Sequence, residues 1–295
     1  MDENYFDITR SLRHSEQMGS NFLILYTARE GSSAIVDQLS QHPDISVPLF
    51  EELDRFWIKK FYGHLDIAQE IEGVFSGNDF TKGDDWGFQN FISGNKRGQG
   101  VSSVGFKWRP HGDLGQVANS IAPHEPTIFV LFRRDPVELA SSLMISHANS
   151  KEGDKQNFHA QFAFSKMTDE QKAKTRKELE QKTYPLAFTY FTITLLKRIV
   201  HAIRLRRAAR KLAKNKLRVQ VLYYEDFLNS PDRFFSEFFD AIGVPQVPHD
   251  DLASSGIMKK TTRKPAKERI GRFWLVKYNP LIWMFTTAYR YLTRF

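Results

Sequence analysis

The feature that most constrains the fold of this chain is an apolar run followed at once by a glycine and serine turn and a helix-like pattern. Residues 22–26, FLILY, have the length and composition of a buried strand. The turn over 27–33 contains Arg29, Gly31 and two serines, and apolar residues then recur at helical spacing. Because the first N–H groups of a helix have no partners within the helix and its dipole favours anions, this unit predicts a phosphate-binding turn.

The same residues fit two other interpretations. An ordinary strand-to-helix connection with a serine cap has this composition. A Walker loop is the nearest named motif, but GxxxxGK[ST] requires a lysine that does not precede Ser32 here. The cation of the turn, Arg29, lies on the other side of Gly31. The turn therefore suits a phosphate that is bound without a P-loop lysine.

Further strands alternate with helices along the chain. Residues 101–108, 127–132 and 218–224 have strand patterns, and helices are expected over 113–122 and 185–214, from Pro136, and from Pro231 to Gly243 with phenylalanines on the core face. Two of the strands end in cations, which lie at the edge where ligands bind open parallel sheets. The alternation predicts an α/β fold of three layers, α/β/α, with a central parallel sheet.

We expect three parts: an N-terminal arm over 1–20, the α/β domain over 21–275, and an aromatic amphipathic segment over 276–295. The chain has 42 Lys and Arg against 34 Asp and Glu, a formal charge of +8, which favours anionic partners. It has no cysteine, which excludes disulfides and thiolate metal sites. The start is polar where a signal peptide is apolar, and no run reaches the roughly 18 apolar residues of a spanning helix. These features favour a cytoplasmic protein.

Two segments suggest peripheral contacts. The basic residues of 197–211 fit an acidic glycan, an anionic lipid surface or simply a solvated helix face. Trp274, Trp283, Phe285 and Tyr289 in the tail fit either a membrane interface or packing on the core or on a partner subunit.

Three segments, in chain order, resemble the donor-binding motifs of sulfotransferases. Residues 26–33, YTAREGSS, resemble the 5′-phosphosulfate loop, where a Lys or Arg stands two residues before a glycine and two hydroxyl residues follow. Residues 134–142, RDPVELASS, resemble the 3′-phosphate motif, with an Arg and a Ser eight positions apart. Residues 222–227, LYYEDF, look like the family's YED segment, whose tyrosine lies near the adenine. The resemblance covers about residues 20–275 and, with Ala34 in place of a tryptophan, is closer to carbohydrate-type and bacterial members than to cytosolic aryl members.

The resemblance implies a P-loop NTPase-like sulfotransferase fold and the donor 3′-phosphoadenosine 5′-phosphosulfate, which leaves as adenosine 3′,5′-bisphosphate. Lys107 would contact the sulfuryl oxygens or cap a surface, and Arg133 would face solvent. The basic loop before Trp274 would close over the 3′-phosphate. The donor-binding residues that the resemblance implies are Arg29, Glu30, Gly31, Ser32, Ser33, Arg134, Ser142, Tyr224, Arg263, Lys264 and Arg269.

The resemblance also implies a catalytic base that accepts the proton of the acceptor hydroxyl. Residues 48–57, PLFEELDRFW, look like the segment of carbohydrate sulfotransferases that carries a glutamate after Leu-Phe, which points to Glu51 as the base. A proline usually follows that glutamate, and this chain has Glu52 there, so either carboxylate fits. His111 is the rival base, because cytosolic members use a histidine after the corresponding strand. Arg29 would assist as a catalytic cation.

These patterns favour metal-free sulfuryl transfer to a hydroxyl or amine of an acceptor, with a carbohydrate or lipid-linked acceptor expected. A P-loop-like kinase using Mg²⁺ is the alternative enzyme, although GK[ST] is missing. A non-catalytic basic binder of membrane or acidic polymer is the other alternative. Nucleic acid is not expected as a partner, because aromatics and cations are not interleaved as in base-stacking surfaces.

Overall fold

Five parallel strands form a single sheet at the centre of the protein. The computed structural model describes residues 19–27, 31–48, 53, 66–76, 100–151, 167–255 and 265–294. The strands are β1 (Phe22–Leu25), β2 (Ile45–Ser46), β3 (Ser103–Trp108), β4 (Thr127–Phe132) and β5 (Val219–Tyr223). Their order in the sheet is β2-β3-β1-β4-β5, so β1 lies between β3 and β4. Leu25 pairs with Trp108 on one side and with Val130 on the other.

Helices connect the strands and continue to the C-terminus. In chain order they are α1 (Ser32–Leu39), α2 (Ile67–Phe75), α3 (Leu114–Ile121), α4 (Pro136–Lys151), α5 (Asp169–Gln181), α6 (Phe188–Lys214), α7 (Tyr224–Asn229), α8 (Pro231–Ile242), α9 (His249–Ser255), α10 (Trp274–Lys277) and α11 (Pro280–Thr293). Short 3₁₀ turns follow α3 at Ala122–His124 and precede α10 at Ala266–Arg269.

The helices cover both faces of the sheet, which confirms the predicted three-layer α/β/α fold with a central parallel sheet. Side chains alternate across a strand, so Leu23 and Leu25 of β1 pack on one face against α2, α3, α6 and α11. Phe22 and Ile24 pack on the opposite face against α1, α7, α8 and α9. Every residue of β1 and β4 is buried, as expected for strands in a parallel sheet covered on both sides.

A third apolar cluster lies beyond the sheet, where α4, the first half of α6, α10 and α11 meet around Phe191, Val276 and Ile282. Tyr289 of α11 is buried in the main core, and Phe285 is partly buried against the third cluster, so both side chains pack on the domain. Trp274 and Trp283 are exposed, at 60% and 71%. No helix within the described ranges is both long enough and apolar enough to cross a membrane.

The helix and strand boundaries follow local chemistry. Asp113 caps α3 by accepting from the N–H groups of Gly115 and Gln116, so the predicted helix begins one residue later than expected. Pro136 occupies the first turn of α4, as predicted, and α8 ends at Gly243 with φ of 70°. The strand predicted over 218–224 is shorter, because Tyr224 already begins α7.

Candidate functional site

The turns after β1 and β4 lie at a topological switch point of the sheet. These two strands are neighbours, but the chain leaves β1 toward β2 and leaves β4 toward β5, on opposite sides. Connections that diverge in this way leave a crevice at the carboxyl ends of the strands, which is where open α/β sheets bind ligands. The two sequence motifs with predicted phosphate contacts therefore flank one crevice.

The first turn presents the N-terminus of α1 to this crevice. Gly31 is the N-cap residue, with φ of 82°, and Ser32 begins the helix. No described side chain caps the first N–H groups of α1. A helix start with exposed N–H groups and a favourable dipole is suited to an anion.

Glycine at position 31 is required by its neighbour as well as by its backbone angle. A Cβ atom added there would lie 2.0 Å from Cε2 and 2.1 Å from Cδ2 of Tyr224, closer than real atoms approach. The ring of Tyr224 therefore lies directly on the turn, with its pKa raised by burial. Arg133 does not face solvent as expected: its side chain is 12% exposed, and its guanidinium carbon lies 4.8 Å from the centre of the Tyr224 ring. A single aromatic ring thus contacts both the turn after β1 and the turn after β4.

Lys107 brings a buried positive charge to the first turn. Its side chain is 2% exposed at the end of β3, and its Nζ atom donates to Ser33 Oγ at 2.7 Å. The same Nζ lies 5.0 Å from the centre of the Tyr26 ring, and Arg109 approaches that ring at 5.5 Å. A buried ammonium on a serine of the helix start strengthens the case for an anion there, because charge interactions are stronger away from water.

Helix α6 adds a further cation at the end of β1. Arg198, 6% exposed, has Nη1 3.5 Å from Thr27 Oγ1. Burial and the nearby charges of Arg198, Arg204 and Arg109 lower the pKa of His201 from 6.5 to about 4. His201, one turn along α6, has its pKa lowered first by its burial and then by the cations around it.

Two acidic residues of α7 hold the turn after β4. Glu225 accepts from the backbone N–H of Arg134 at 2.9 Å and lies 3.9 Å from Arg133 Nε. Asp226 accepts from both terminal nitrogens of Arg134, with Nη2 at 2.8 Å, which raises the pKa of the guanidinium. Arg134 also lies 4.1 Å over the ring of Tyr223. The cation predicted to bind a 3′-phosphate thus has a carboxylate partner, although both side chains are about half exposed, at 49% and 48%.

The C-terminal segment is tied to the same motif. Asp135 caps α4 and forms an ion pair with Lys267 at 3.1 Å. Glu138 accepts from the backbone N–H groups of Ala266 and Lys267 at 2.7 and 3.1 Å. Two acidic residues of the segment 134–142 therefore hold residues 266–267, within the basic segment that precedes Trp274.

The structure positions only some of the predicted site residues. Ser142 lies on α4 and is half-buried, and His111 lies after β3 with its Nδ1 atom 2.9 Å from the carbonyl oxygen of Arg109. Arg269 is 7% exposed, with Nη2 3.3 Å from the hydroxyl of Tyr184. The remaining predicted residues lie outside the described ranges: Arg29, Glu30, Glu51, Glu52, Arg263 and Lys264.

Two solved structures are similar to this chain. One is the sulfotransferase of Alicyclobacillus acidocaldarius, with 18% identity, a TM-score of 0.43, and coverage of 93% of this chain and 95% of that chain. The other is the sulfotransferase domain of the curacin biosynthetic pathway, with 14% identity, a TM-score of 0.41, and coverage of 93% and 89%. Both are members of the class that the three motifs resemble.

No model of a protein family matches the chain, and no curated protein matches it.

Sequence reasoning missed the residues that hold the site cations and turns in position. Glu225, Asp226 and Glu138 stand inside the quoted motifs, but their partners are far away in the sequence. The paired acids after β5 opposite the paired arginines after β4 were a usable signal, because adjacent parallel strands end at the same edge. Arg198 was among the basic residues of 197–211, but nothing in the sequence pattern distinguished it from the other cations of that helix.

Proposed function

We propose that this protein is a sulfotransferase that moves a sulfuryl group from 3′-phosphoadenosine 5′-phosphosulfate to a hydroxyl or amine of a carbohydrate or lipid-linked acceptor. The observation that carries the proposal is the contact of Tyr224 with both Gly31 and Arg133. One ring between two phosphate-binding turns is the arrangement needed for one adenosine nucleotide with phosphates at its 5′ and 3′ positions.

The 5′ end of the donor would bind at the start of α1. The N–H groups of Gly31, Ser32 and Ser33 would hold the 5′-phosphate, and Arg29 would complete the turn. The bridging oxygen gains negative charge as its bond to sulfur breaks, and preorganised donors stabilise such charge, each contributing about 3 kcal/mol where single donors have been removed elsewhere. Lys107, held on Ser33, would supply a full positive charge beside the same group.

The 3′ end would bind at the turn after β4. Arg134 and Ser142 would contact the 3′-phosphate, for which the planar guanidinium is well suited. Asp226 occupies two of the five donors of Arg134, so phosphate must bind the remaining donors or displace the carboxylate. Because the ion pair is half exposed, displacing it costs little.

The need for a base near the acceptor follows from the bonds and the proton that move in the transfer. A bond forms between the acceptor oxygen and sulfur while the bond from sulfur to the 5′-phosphate oxygen breaks. The acceptor proton goes to a base, for which we propose Glu51, with Glu52 and His111 as the alternatives. Adenosine 3′,5′-bisphosphate then leaves with the electron pair of the broken bond, and no metal ion is required by this scheme.

Thermal unfolding with two ligands tests the proposal against the kinase and binder alternatives. Adenosine 3′,5′-bisphosphate at 100 times its Kd stabilises the native state by about 2.7 kcal/mol, so the melting temperature should rise by several degrees. ATP with Mg²⁺ should have a much smaller effect. Stabilisation by ATP with Mg²⁺ alone would favour the kinase, and no response to either ligand would favour the binder.

Turnover with labelled donor then tests the base. Glu51→Gln should abolish sulfuryl transfer while leaving bisphosphate affinity within about twofold, since the amide keeps the shape of the side chain but accepts no proton. Glu52→Gln is the matched control and should remain active. Full activity of Glu51→Gln would transfer the role to Glu52 or His111.

A further inference from the structure

The exposed apolar side chains of this protein are concentrated on one surface. Among the described residues, every exposed large apolar side chain except Leu228 lies on α6, on α10 and the residue after it, or on α11. We name this surface the α6–α11 face. Its exposed apolar side chains are Ile193, Leu196, Val200, Trp274, Leu275, Tyr278, Leu281, Trp283, Met284 and Tyr291.

Helices α6 and α11 run side by side in the same direction. Phe191 near the start of α6 shares a cluster with Ile282 near the start of α11. Farther along, Arg206 Nη1 donates to the carbonyl oxygen of Leu292 at 3.4 Å. Since both helices cover the same face of the sheet, their exposed sides point outward together, and the most apolar parts of both lie at one end.

The candidate site lies at this same end of the two helices. Arg198, between the exposed residues Leu196 and Val200, reaches Thr27 at the carboxyl end of β1. The apolar part of the α6–α11 face therefore borders the sheet edge where the phosphate-binding turns lie.

The same face is positively charged. No Asp or Glu occurs over 188–214 or over 269–294, which cover α6 and the segment from the last 3₁₀ turn through α11. Arg204, Arg207 and Lys211 continue the exposed stripe of α6, although Lys211 lies 3.7 Å from Asp113, the cap residue of α3. Arg290 on α11 and Arg294 just after it are exposed as well. A surface whose two helices carry cations and no acid, with aromatic and aliphatic side chains at one end, matches the interfacial region of an anionic membrane.

We propose that the α6–α11 face binds the surface of an anionic lipid bilayer. A second copy of the chain fits less well, because it would bring two basic helix surfaces together. Nucleic acid also fits less well, because the aromatic side chains of the face stand among exposed aliphatic ones such as Val200 and Leu281, which suit hydrocarbon and not bases or phosphates. If the proposed sulfuryl transfer holds, the face would place the site beside a lipid-linked acceptor; this last step alone rests on the proposed function.

Vesicle sedimentation tests the proposal with the full chain. The protein should bind vesicles of phosphatidylcholine that contain roughly 30–40% phosphatidylglycerol, and it should bind pure phosphatidylcholine vesicles far more weakly. The reason is that each cation near an anionic surface is worth about fivefold in affinity. Trp283→Ala should weaken binding by about tenfold through lost apolar burial. Arg290→Glu should weaken binding and make what remains less sensitive to salt, because fewer charge interactions with the vesicle are left for salt to screen. Leu228→Ala and Arg233→Glu, exposed on α7 and α8 across the sheet, are the matched controls.

Binding that is equal for both vesicle types, or unchanged in Trp283→Ala and Arg290→Glu, would overturn the proposal. A dimer in sedimentation velocity that Trp283→Ala dissociates would assign the face to a second copy instead. Melting temperatures of the variants exclude misfolding as the cause of a loss. Bisphosphate affinity in the same variants should stay at the wild-type value, so failure of vesicle binding and failure of nucleotide binding are separate results.

Discussion

Replacing Asp226 by asparagine should tighten the binding of adenosine 3′,5′-bisphosphate. Asp226 holds both terminal nitrogens of Arg134, the side chain proposed for the 3′-phosphate. In the wild-type protein the phosphate must compete with this carboxylate and is repelled by its charge. Asparagine keeps the size of the side chain and removes the charge, so the guanidinium becomes available to the nucleotide.

The size of the effect follows from the exposure of the pair. Both side chains are about half exposed, at 49% and 48%, so water screens the ion pair and its strength falls in the range of about 0.2–1 kcal/mol. Relief of the like-charge contact with a phosphate in water adds up to about 1 kcal/mol. We expect a net gain of about 1 kcal/mol, which is about fivefold in Kd.

Isothermal titration with two nucleotides isolates the contribution of the 3′-phosphate. Adenosine 3′,5′-bisphosphate should bind Asp226→Asn about fivefold more tightly, while adenosine 5′-phosphate should bind both proteins equally. Glu237→Gln removes one acid from the exposed pair with Arg233 on α8 and serves as the control for net charge. An unchanged or weaker affinity of Asp226→Asn for the bisphosphate would refute the assignment of Arg134 to the 3′-phosphate.

Three further variants test the site from other directions. Gly31→Ala should lower the melting temperature and abolish bisphosphate binding. The control Gly112→Ala, with φ of 76° and open space around it, should show only the backbone strain of about 1 kcal/mol. Equal losses of stability in the two variants would mean that the clash with the Tyr224 ring does not matter. Glu138→Gln should weaken bisphosphate binding severalfold in titration with little change in melting temperature, because the fixing of residues 266–267 is lost; an unchanged Kd would contradict it. His201→Gln should flatten the dependence of melting temperature on pH between 6.5 and about 4. Because the pKa of His201 is lowered to about 4 in the folded protein, the unfolded state binds the proton first, and the wild type loses stability as pH falls through this window. Identical slopes for the variant and the wild type would contradict this.

The sequence predicted the sheet and the positions of the two motifs because strands buried on both faces are continuous apolar runs. β1 and β4 have this composition, and the turns after them carry glycine, serine and arginine in a recognisable order. The order of the strands is what brings the two turns together, and no short-range pattern encodes it. The neighbouring positions of β1 and β4 therefore required the structure.

The partners of the site cations were also beyond the reach of local patterns. Lys107 and Ser33 are separated by 74 positions, and Arg134 and Asp226 by 92. Which aromatic residues are buried could not be predicted from the sequence either. Tyr289 and Trp283 lie in the same aromatic helix, but Tyr289 is 1% exposed and Trp283 is 71% exposed. Helical periodicity gives two sides to such a segment, and only the packing of α11 on α6 decides which side is covered.

A crystal structure of the complex with adenosine 3′,5′-bisphosphate tests the central claim most directly. We expect the 5′-phosphate on the N–H groups of Gly31, Ser32 and Ser33, the 3′-phosphate on Arg134, and the nucleoside against Tyr224. A nucleotide that contacts only one of the two turns, or that binds away from the crevice between β1 and β4, would contradict the account.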